Sequence, residues 1–142
     1  MKKIVIDGHN LIPKLPGLHL SDPEDENKLI QLIGEYCRVS RSRAELFFDG
    51  APPGSTPRSR HGLVSIHHVK QGSTADDAII HHIRREGQNA RNLLVISSDH
   101  RVQVEVKALR AETMTSEVFA RQIEHTMSSP AVQEAAREKP PS

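Results

Sequence analysis

Aromatic residues and cysteine are scarce in this chain of 142 residues, which has no tryptophan, one tyrosine, three phenylalanines and one cysteine. With Cys37 alone, an intrachain disulfide and a zinc knuckle built on thiolates are both excluded, and a reducing compartment is the fitting environment. A large net charge is also absent, since the formal value is +1. Any affinity for nucleic acid must therefore come from local clusters of arginine, lysine and histidine.

Long hydrophobic runs are missing as well. Lys2 and Lys3 resemble the start of a signal peptide, but the apolar run that follows them ends at Asp7 and is far too short for a signal peptide or a membrane span. We therefore expect a soluble, cytoplasmic protein with no membrane partner. The length fits one domain, over residues 1–127, followed by a polar, flexible tail over residues 128–142.

Short apolar runs alternate with helical patterns along the domain. Strands are predicted over 2–7, 45–49, 63–69 and 93–98, and helices over 23–40 and 74–87, from Asp99 and from Thr115. The segment 50–62 is rich in proline and glycine and is predicted to be a loop, and the run at 63–69 is interpreted as a short or edge strand. Alternating strands and helices favour an α/β fold in which helices flank a mostly parallel central sheet.

Acidic residues follow three of the predicted strands. Asp7, Asp49 and Asp99 each end an apolar run, and ligands of open α/β sheets bind beyond the carboxyl ends of the strands, so we expect these acids to converge. The pair Asp76 and Asp77 opens a predicted helix. Asp76 shares a face with three isoleucines and should point inward, whereas Asp77 fits a capping box at the start of the helix.

Crowded carboxylates repel one another, and some must take up protons unless a cation is bound. Mg²⁺ or Mn²⁺ prefers oxygen ligands and keeps several waters when few carboxylates bind it. Such a cation lowers the pKa of bound water and neutralises charge on a phosphoryl oxygen, which is the chemistry of phosphodiester hydrolysis. The residues alone therefore predict a divalent-metal site, with Asp49 and Asp77 as additional candidate ligands.

Several ordered segments together resemble a known family. These are IDGHNLI at 6–12, FFDG at 47–50, STADDAI at 73–79, ISSD at 96–99 and ALRAETMTSEVFARQI at 108–123. Over residues 1–127 the chain is similar to the YacP-like branch of the NYN domains, which are relatives of the PIN-domain nucleases. The combination is far more specific than any one segment.

The resemblance implies a PIN-like α/β fold and a metal-dependent endoribonuclease that leaves a 5′-phosphate and a 3′-hydroxyl. It also implies a site made of Asp7, Asp76 and Asp99, with Asn10 in support and Mg²⁺ or Mn²⁺ as cofactor. His9 stands where many members carry an aromatic residue. This departure leaves the metal acids intact and concerns only the contacts with substrate.

The candidate residues also have structural interpretations. Asp7 and Asp49 could be turn acids, and Asn10 could form an Asx-turn. Asp99 could cap the helix that follows it, a role that Ser97 or Ser98 could share. The family position matched by Asp49 is compatible with either a direct ligand or a supporting residue.

Histidine is abundant, with nine residues, but its pattern does not favour zinc. His67 and His68 are adjacent in a predicted strand and should point to opposite faces, while His81 and His82 have the pattern of exposed helix residues. A stretch of basic residues surrounds the second predicted strand and could steer a phosphate backbone. The candidate RNA-binding residues are Arg58, Arg60, His61, His9 and Ser98.

The main functional hypothesis is therefore a Mg²⁺- or Mn²⁺-dependent endoribonuclease that cuts single-stranded or unpaired RNA, such as mRNA. The alternative is a non-catalytic RNA- or ribosome-binding module with a vestigial acidic pocket, for which the loop at 51–62 could provide a docking surface. A phosphoacceptor domain of the receiver type also places acids at strand ends. It lacks support here because no lysine follows a late strand to complete such a site.

Overall fold

A computed structural model of the chain describes residues 1–52 and 54–129. Its strands are β1 (Lys2–Asp7), β2 (Ser42–Ala51), β3 (Arg58–His61), β4 (Val64–Lys70), β5 (Leu93–Ile96) and β6 (Glu112–Met114). Its α-helices are α1 (Gly8–Leu11), α2 (Asp25–Ser40), α3 (Ala75–Glu86), α4 (His100–Ala108) and α5 (Ser116–Met127). Two short 3₁₀ segments, Ile12–Lys14 and Gly87–Asn92, complete these elements.

The described strands form one six-stranded sheet in the order β3-β4-β2-β1-β5-β6. Every neighbouring pair is parallel except β3 and β4, which are antiparallel. One apolar core lies between the sheet and helices α2 and α5, and a second lies between the sheet and helices α3 and α4. The predicted three-layer α/β fold with a mostly parallel sheet is confirmed.

Strand β1 supplies both cores because successive side chains of a strand point to opposite faces. Ile4 and Ile6 pack in the core under α2 and α5, whereas Val5 packs in the core under α3 and α4. The same alternation directs Asp7 towards the α3 side of the sheet. The position of this acid therefore follows from the two-residue period of the strand.

Local sequence explains where the long helices begin and end. The Thr74 and Thr115 hydroxyls accept hydrogen bonds from backbone N–H groups three residues later, at 3.1 and 3.2 Å, and so cap α3 and α5. Helix α2 carries acids in its first turn and ends at Arg41, which adopts the left-handed conformation with φ 54°. The predicted N-cap role of Thr115 is confirmed.

The segment 50–62 is not the irregular loop that its composition predicts. Strand β2 continues to Ala51, and β3 pairs antiparallel with β4. A turn at Gly62, with φ 58°, joins the two strands of this hairpin. Because β3 is the edge strand, β4 lies inside the sheet, and its interpretation as a short or edge strand is wrong.

Two other differences concern short elements. The predicted strand over 93–98 ends at Ile96, and β6 pairs with it in parallel at the other edge of the sheet. The predicted tail over 128–142 falls almost wholly outside the described residues. No helix within residues 1–52 and 54–129 combines the length and the apolar character needed to cross a bilayer.

Gly8 provides a test of the packing beside Asp7. A Cβ atom at Gly8 would lie 3.0 Å from the Phe47 carbonyl oxygen and closer still to the fully buried ring of Phe48. We expect Gly8→Ala to lower the free energy of unfolding by about 1–3 kcal/mol, because neither neighbour can move freely. Urea denaturation followed by circular dichroism measures the effect.

Gly34→Ala is the matched control, since the nearest atom to its new Cβ would be Val64 Cγ2 at 4.0 Å. Gly34 lies inside α2, where alanine is the better helix former, so this variant should gain roughly 0.5–1 kcal/mol. A Gly8→Ala protein as stable as the wild type would contradict the close packing described above.

Candidate active site

The functional crevice is expected beside the carboxyl end of β1, because the strand order reverses there. Strand β2, which follows β1 in the chain, lies on one side of it, and β5 lies on the other. Open α/β sheets bind ligands at such a topological switch point. Asp7 is the last residue of β1 and is only 6% exposed, so a carboxyl group stands buried at this point.

Asp7 interacts most strongly with Asp76, which lies in the first turn of α3. Burial raises the pKa of Asp7 to about 7, and the Asp76 carboxylate adds to the shift through its charge and a hydrogen bond between the two side chains. Burial also raises the pKa of Asp76, and the charge of Asp99 raises it further. Asp49 acts on both in the same direction. The acids predicted to converge therefore form one electrostatically coupled group.

Two of these acids also have the structural role considered for them. Asp99 Oδ1 accepts a hydrogen bond from the Val102 N–H at 3.0 Å and caps α4, and Asp7 Oδ1 accepts one from the Asn10 N–H at 3.4 Å and caps α1. Each cap uses one carboxylate oxygen. The capping and the acidic-site interpretations are therefore compatible.

The fit of this group to a metal ion rests on its chemistry. Among residues 1–52 and 54–129, no set of three or more His, Cys, Asp or Glu side chains is arranged so that it could hold a metal ion as it stands. Mg²⁺, however, is usually bound through one or two carboxylates and keeps several waters. A buried pair such as Asp7 and Asp76, which must otherwise share a proton, is a donor set of this kind.

Asp49 is paired with His9 instead of joining the acids directly. His9 Nδ1 lies 2.8 Å from Asp49 Oδ1, and its Nε2 lies 2.7 Å from Glu26 Oε2. Burial opposes a charge on His9, but the hydrogen bonds to Asp49 and Glu26 outweigh it and raise the pKa of the imidazole. His9 therefore holds a carboxylate on each side, and the β2 end is tied to α2.

Asn10 and Ser98 belong to a hydrogen-bond network next to the acids. Asn10 Oδ1 accepts hydrogen bonds from the Ser98 N–H, at 2.9 Å, and from the Ser116 hydroxyl. The Ser98 hydroxyl donates to Glu117 at 2.6 Å and, with Lys14 and the backbone, lowers the pKa of Glu117 to about 2. The network joins the ends of β1 and β5 to the start of α5, so these residues hold the crevice in shape.

Asp77 points away from the acidic group. Its carboxylate pairs with the Arg101 guanidinium, which lowers the pKa of Asp77, and both side chains are more than half exposed. The Asp77 N–H donates to the Thr74 hydroxyl, as the predicted capping box requires of this position. The described geometry thus separates Asp77 from Asp76, with which it was considered as a ligand.

The basic residues predicted to contact RNA are divided between the two faces of the sheet. Arg58 and Arg60 alternate with Ser59 in β3 and share the α3 side, where Arg58 lies 3.8 Å from Glu45. His61 lies on the other side, in a depression of about 340 Å³ that Arg38 also lines. The three residues do not form one patch.

The residues that sequence reasoning missed are partners of the predicted ones. Glu26 was interpreted only as an acid that favours a helix start, and Ser116 and Glu117 carried no recognisable signal. Their contacts join residues 17 to 106 positions apart in the chain. Only the three-dimensional arrangement reveals such pairs.

Comparison with known proteins gives a family and a fold. The family profile described as "YacP-like NYN domain" matches residues 4–141. A crystal structure of a mutant of Rae1 (YacP) from Bacillus subtilis is 24% identical, with a TM-score of 0.75 over 99% of this chain and 86% of that chain. Another crystal structure of Rae1 is 23% identical, with a TM-score of 0.77 over 97% and 81%. No curated protein matched the sequence.

The raised pKa of Asp7 predicts how stability depends on pH when no metal is present. Between about pH 4 and the folded-state pKa of about 7, folded Asp7 keeps a proton that the unfolded chain has lost, so the unfolding free energy falls as pH rises. Asp7→Asn keeps a capping acceptor but removes the ionisation. At about pH 8 it should exceed the wild type by on the order of 3 kcal/mol.

Urea denaturation in chelator at several pH values measures this difference. Asp77→Asn is the control, because the Asp77 carboxylate is exposed and its pKa is lowered by Arg101. That variant should show no gain in stability at high pH. A wild-type stability that stays constant from about pH 5 to about pH 8 would contradict the buried, repelled state of Asp7.

Proposed function

The chain belongs to the YacP-like NYN domain family, which has a PIN-like nuclease-type fold, and from this membership we propose that it is a metal-dependent endoribonuclease. Its substrate would be single-stranded or unpaired RNA. The observation that supports the proposal most directly is the buried, coupled pair Asp7 and Asp76 at the switch point of the sheet. The cytoplasmic location expected from the sequence is part of the same proposal.

Asp7, Asp76 and Asp99 are the residues that would hold Mg²⁺ or Mn²⁺. Such an ion supplies an activated water and neutralises charge that develops on the phosphoryl group. Asp7 and Asp76 are the closest pair, and the Asp99 carboxylate acts on Asp76 through its charge. The proton that Asp7 and Asp76 share must leave before both carboxylates can act as ligands, so the site should lose affinity for the ion in acidic solution.

The surrounding residues keep this acidic group in place. His9 balances the charge of Asp49, so Asp49 adds less repulsion to the group than a free carboxylate would. Asn10 fixes the end of β1 against the segment after β5 through the Ser98 N–H. A support of this kind preserves the spacing between Asp7 and Asp99, on which the proposed chemistry depends.

The proposal is tested by incubating the purified protein with a short, unstructured, fluorescently labelled RNA in Mn²⁺, in Mg²⁺ and in EDTA. Internal cleavage is expected with either ion and not in EDTA. Asp7→Asn, Asp76→Asn and Asp99→Asn should each lower the rate by about 100-fold or more, because each removes a charge from the metal site. Asp77→Asn should cleave within about threefold of the wild type, since Asp77 faces Arg101.

Two results would overturn the proposal. Cleavage by Asp7→Asn at the wild-type rate would remove the acid from the mechanism, and cleavage in EDTA would remove the metal. RNA that is bound but never cut, with affinity unchanged by Asp7→Asn and lost on neutralising Arg58 and Arg60, would favour the non-catalytic RNA-binding module.

A further inference from the structure

A groove runs along α3 on the side of the sheet that carries Asp7. It lies between α3 and the strands β4 and β3 and has a volume of about 550 Å³. Its lining includes Glu45, Phe47, His67, Arg58, His82 and Arg85. We name it the α3 groove. None of these residues except Arg58 was predicted to have a function.

The register of the sheet connects the α3 groove to the acidic group. Asp7 pairs with Phe47, Phe47 with His67, and His67 with Arg58. Residues that pair directly across neighbouring strands share a face, so their four side chains form one row across three strand spacings, or about 14 Å. Ala78, on the other wall of the groove, is two residues after Asp76. The groove therefore begins where the acids end.

Aromatic rings form part of the groove. The rings of Phe47 and His67 are stacked, with centroids 4.3 Å apart and an interplanar angle of 5°, and His82 meets Phe47 edge-on at 5.6 Å. Phe47 is buried, but the His67 side chain is 18% exposed. A planar ring backed by a second ring is a surface on which a nucleotide base can stack.

Cationic side chains stand at the rim, while the buried acid of the groove is already paired. Glu45 is 4% exposed and lies 2.8 Å from His67 Nε2. The Arg58 side chain is 67% exposed and reaches Glu45 only at 3.8 Å, so most of its hydrogen-bonding capacity faces solvent. Exposed Arg85 forms no ion pair within residues 1–52 and 54–129. Both guanidinium groups are therefore available to phosphate oxygens.

His82 offers one more polar contact. Its Nε2 atom is buried and has no hydrogen-bond partner among the described residues, and Glu86 Oε1 lies 3.7 Å away. A buried polar atom without a partner is unfavourable, and a ligand in the groove could supply the missing hydrogen bond. This is a second observation, independent of the charges, that points to a ligand.

We propose that the α3 groove binds the RNA strand next to the bond that is cut, with a base on His67 and phosphates on Arg58 and Arg85. The inference rests on the proposed function and assigns a path to its substrate. An RNA strand fits better than a free nucleotide, because the row from Asp7 to Arg58 is continuous and longer than a single contact site. The edge hairpin that presents Arg58 is then part of the substrate site.

The test measures binding of a fluorescein-labelled, uridine-rich RNA in EDTA by fluorescence anisotropy at several salt concentrations. The double variant Arg58→Gln/Arg85→Gln should bind roughly tenfold more weakly, and the slope of log affinity against log salt should shrink by about 1.4, as expected when two phosphate contacts with single-stranded RNA are lost. Arg38→Gln/Arg84→Gln is the matched control. It removes the same charge from residues that do not line the groove, and it should bind like the wild type.

A second measurement locates the strand directly. In nuclear magnetic resonance spectra of the full chain, the ring signals of His67 and His82 should shift on addition of the same RNA, and those of His125 in α5 should not. Equal losses in the two double variants would overturn the inference, because binding would then follow total charge alone. RNA binding that leaves the His67 and His82 signals unmoved would overturn it as well.

These outcomes are separable from those of the proposed function. Cleavage that requires Mn²⁺, combined with unchanged binding by the Arg58→Gln/Arg85→Gln protein, would reject the groove and leave the nuclease. Groove-dependent RNA binding without any cleavage would reject the nuclease and leave the groove as a binding site.

Discussion

The burial of Asp7 beside Asp76 is the interaction on which the rest of the site depends. Two carboxyl groups in a poorly hydrated position cannot both ionise without a large cost, so they share a proton or require a cation. A protein without use for a cation could place a neutral side chain at the end of β1 and still cap α1, for example asparagine. The retained acid pair is therefore a specific electrostatic arrangement and not a requirement of the fold.

The remaining charges near the pair are balanced one by one. His9 lies between Asp49 and Glu26, Arg101 pairs with Asp77, and each of these contacts removes a carboxylate from the repelling group. What stays unbalanced is Asp7 with Asp76, together with the field of Asp99. This distribution limits the place at which a divalent cation would be most strongly attracted, and that place coincides with the switch point of the sheet.

Sequence reasoning succeeded where a single local rule decides the outcome. The apolar runs located β1 and β5, threonine caps marked α3 and α5, and parallel strands brought the acids that follow them to one edge. It failed for β3 and β6, because a strand of four residues such as Arg58–His61 carries no apolar alternation and forms through its partner β4. The Asn10 network was invisible for a similar reason, since its partners are 88 and 106 residues away.

The histidines show how register changes the meaning of a residue. The sequence correctly predicts that His67 and His68 point to opposite faces, for His67 stacks on Phe47 and His68 on Phe48. It does not predict that His67 stands in a row with Asp7 and Arg58, because that row needs the parallel pairing of β1, β2 and β4 and the antiparallel pairing of β3 together. A slip of one residue in β3 would turn Arg58 to the other face. The hairpin turn at Gly62 fixes this register, so a glycine far from the acids determines on which side of the sheet the charge of Arg58 lies.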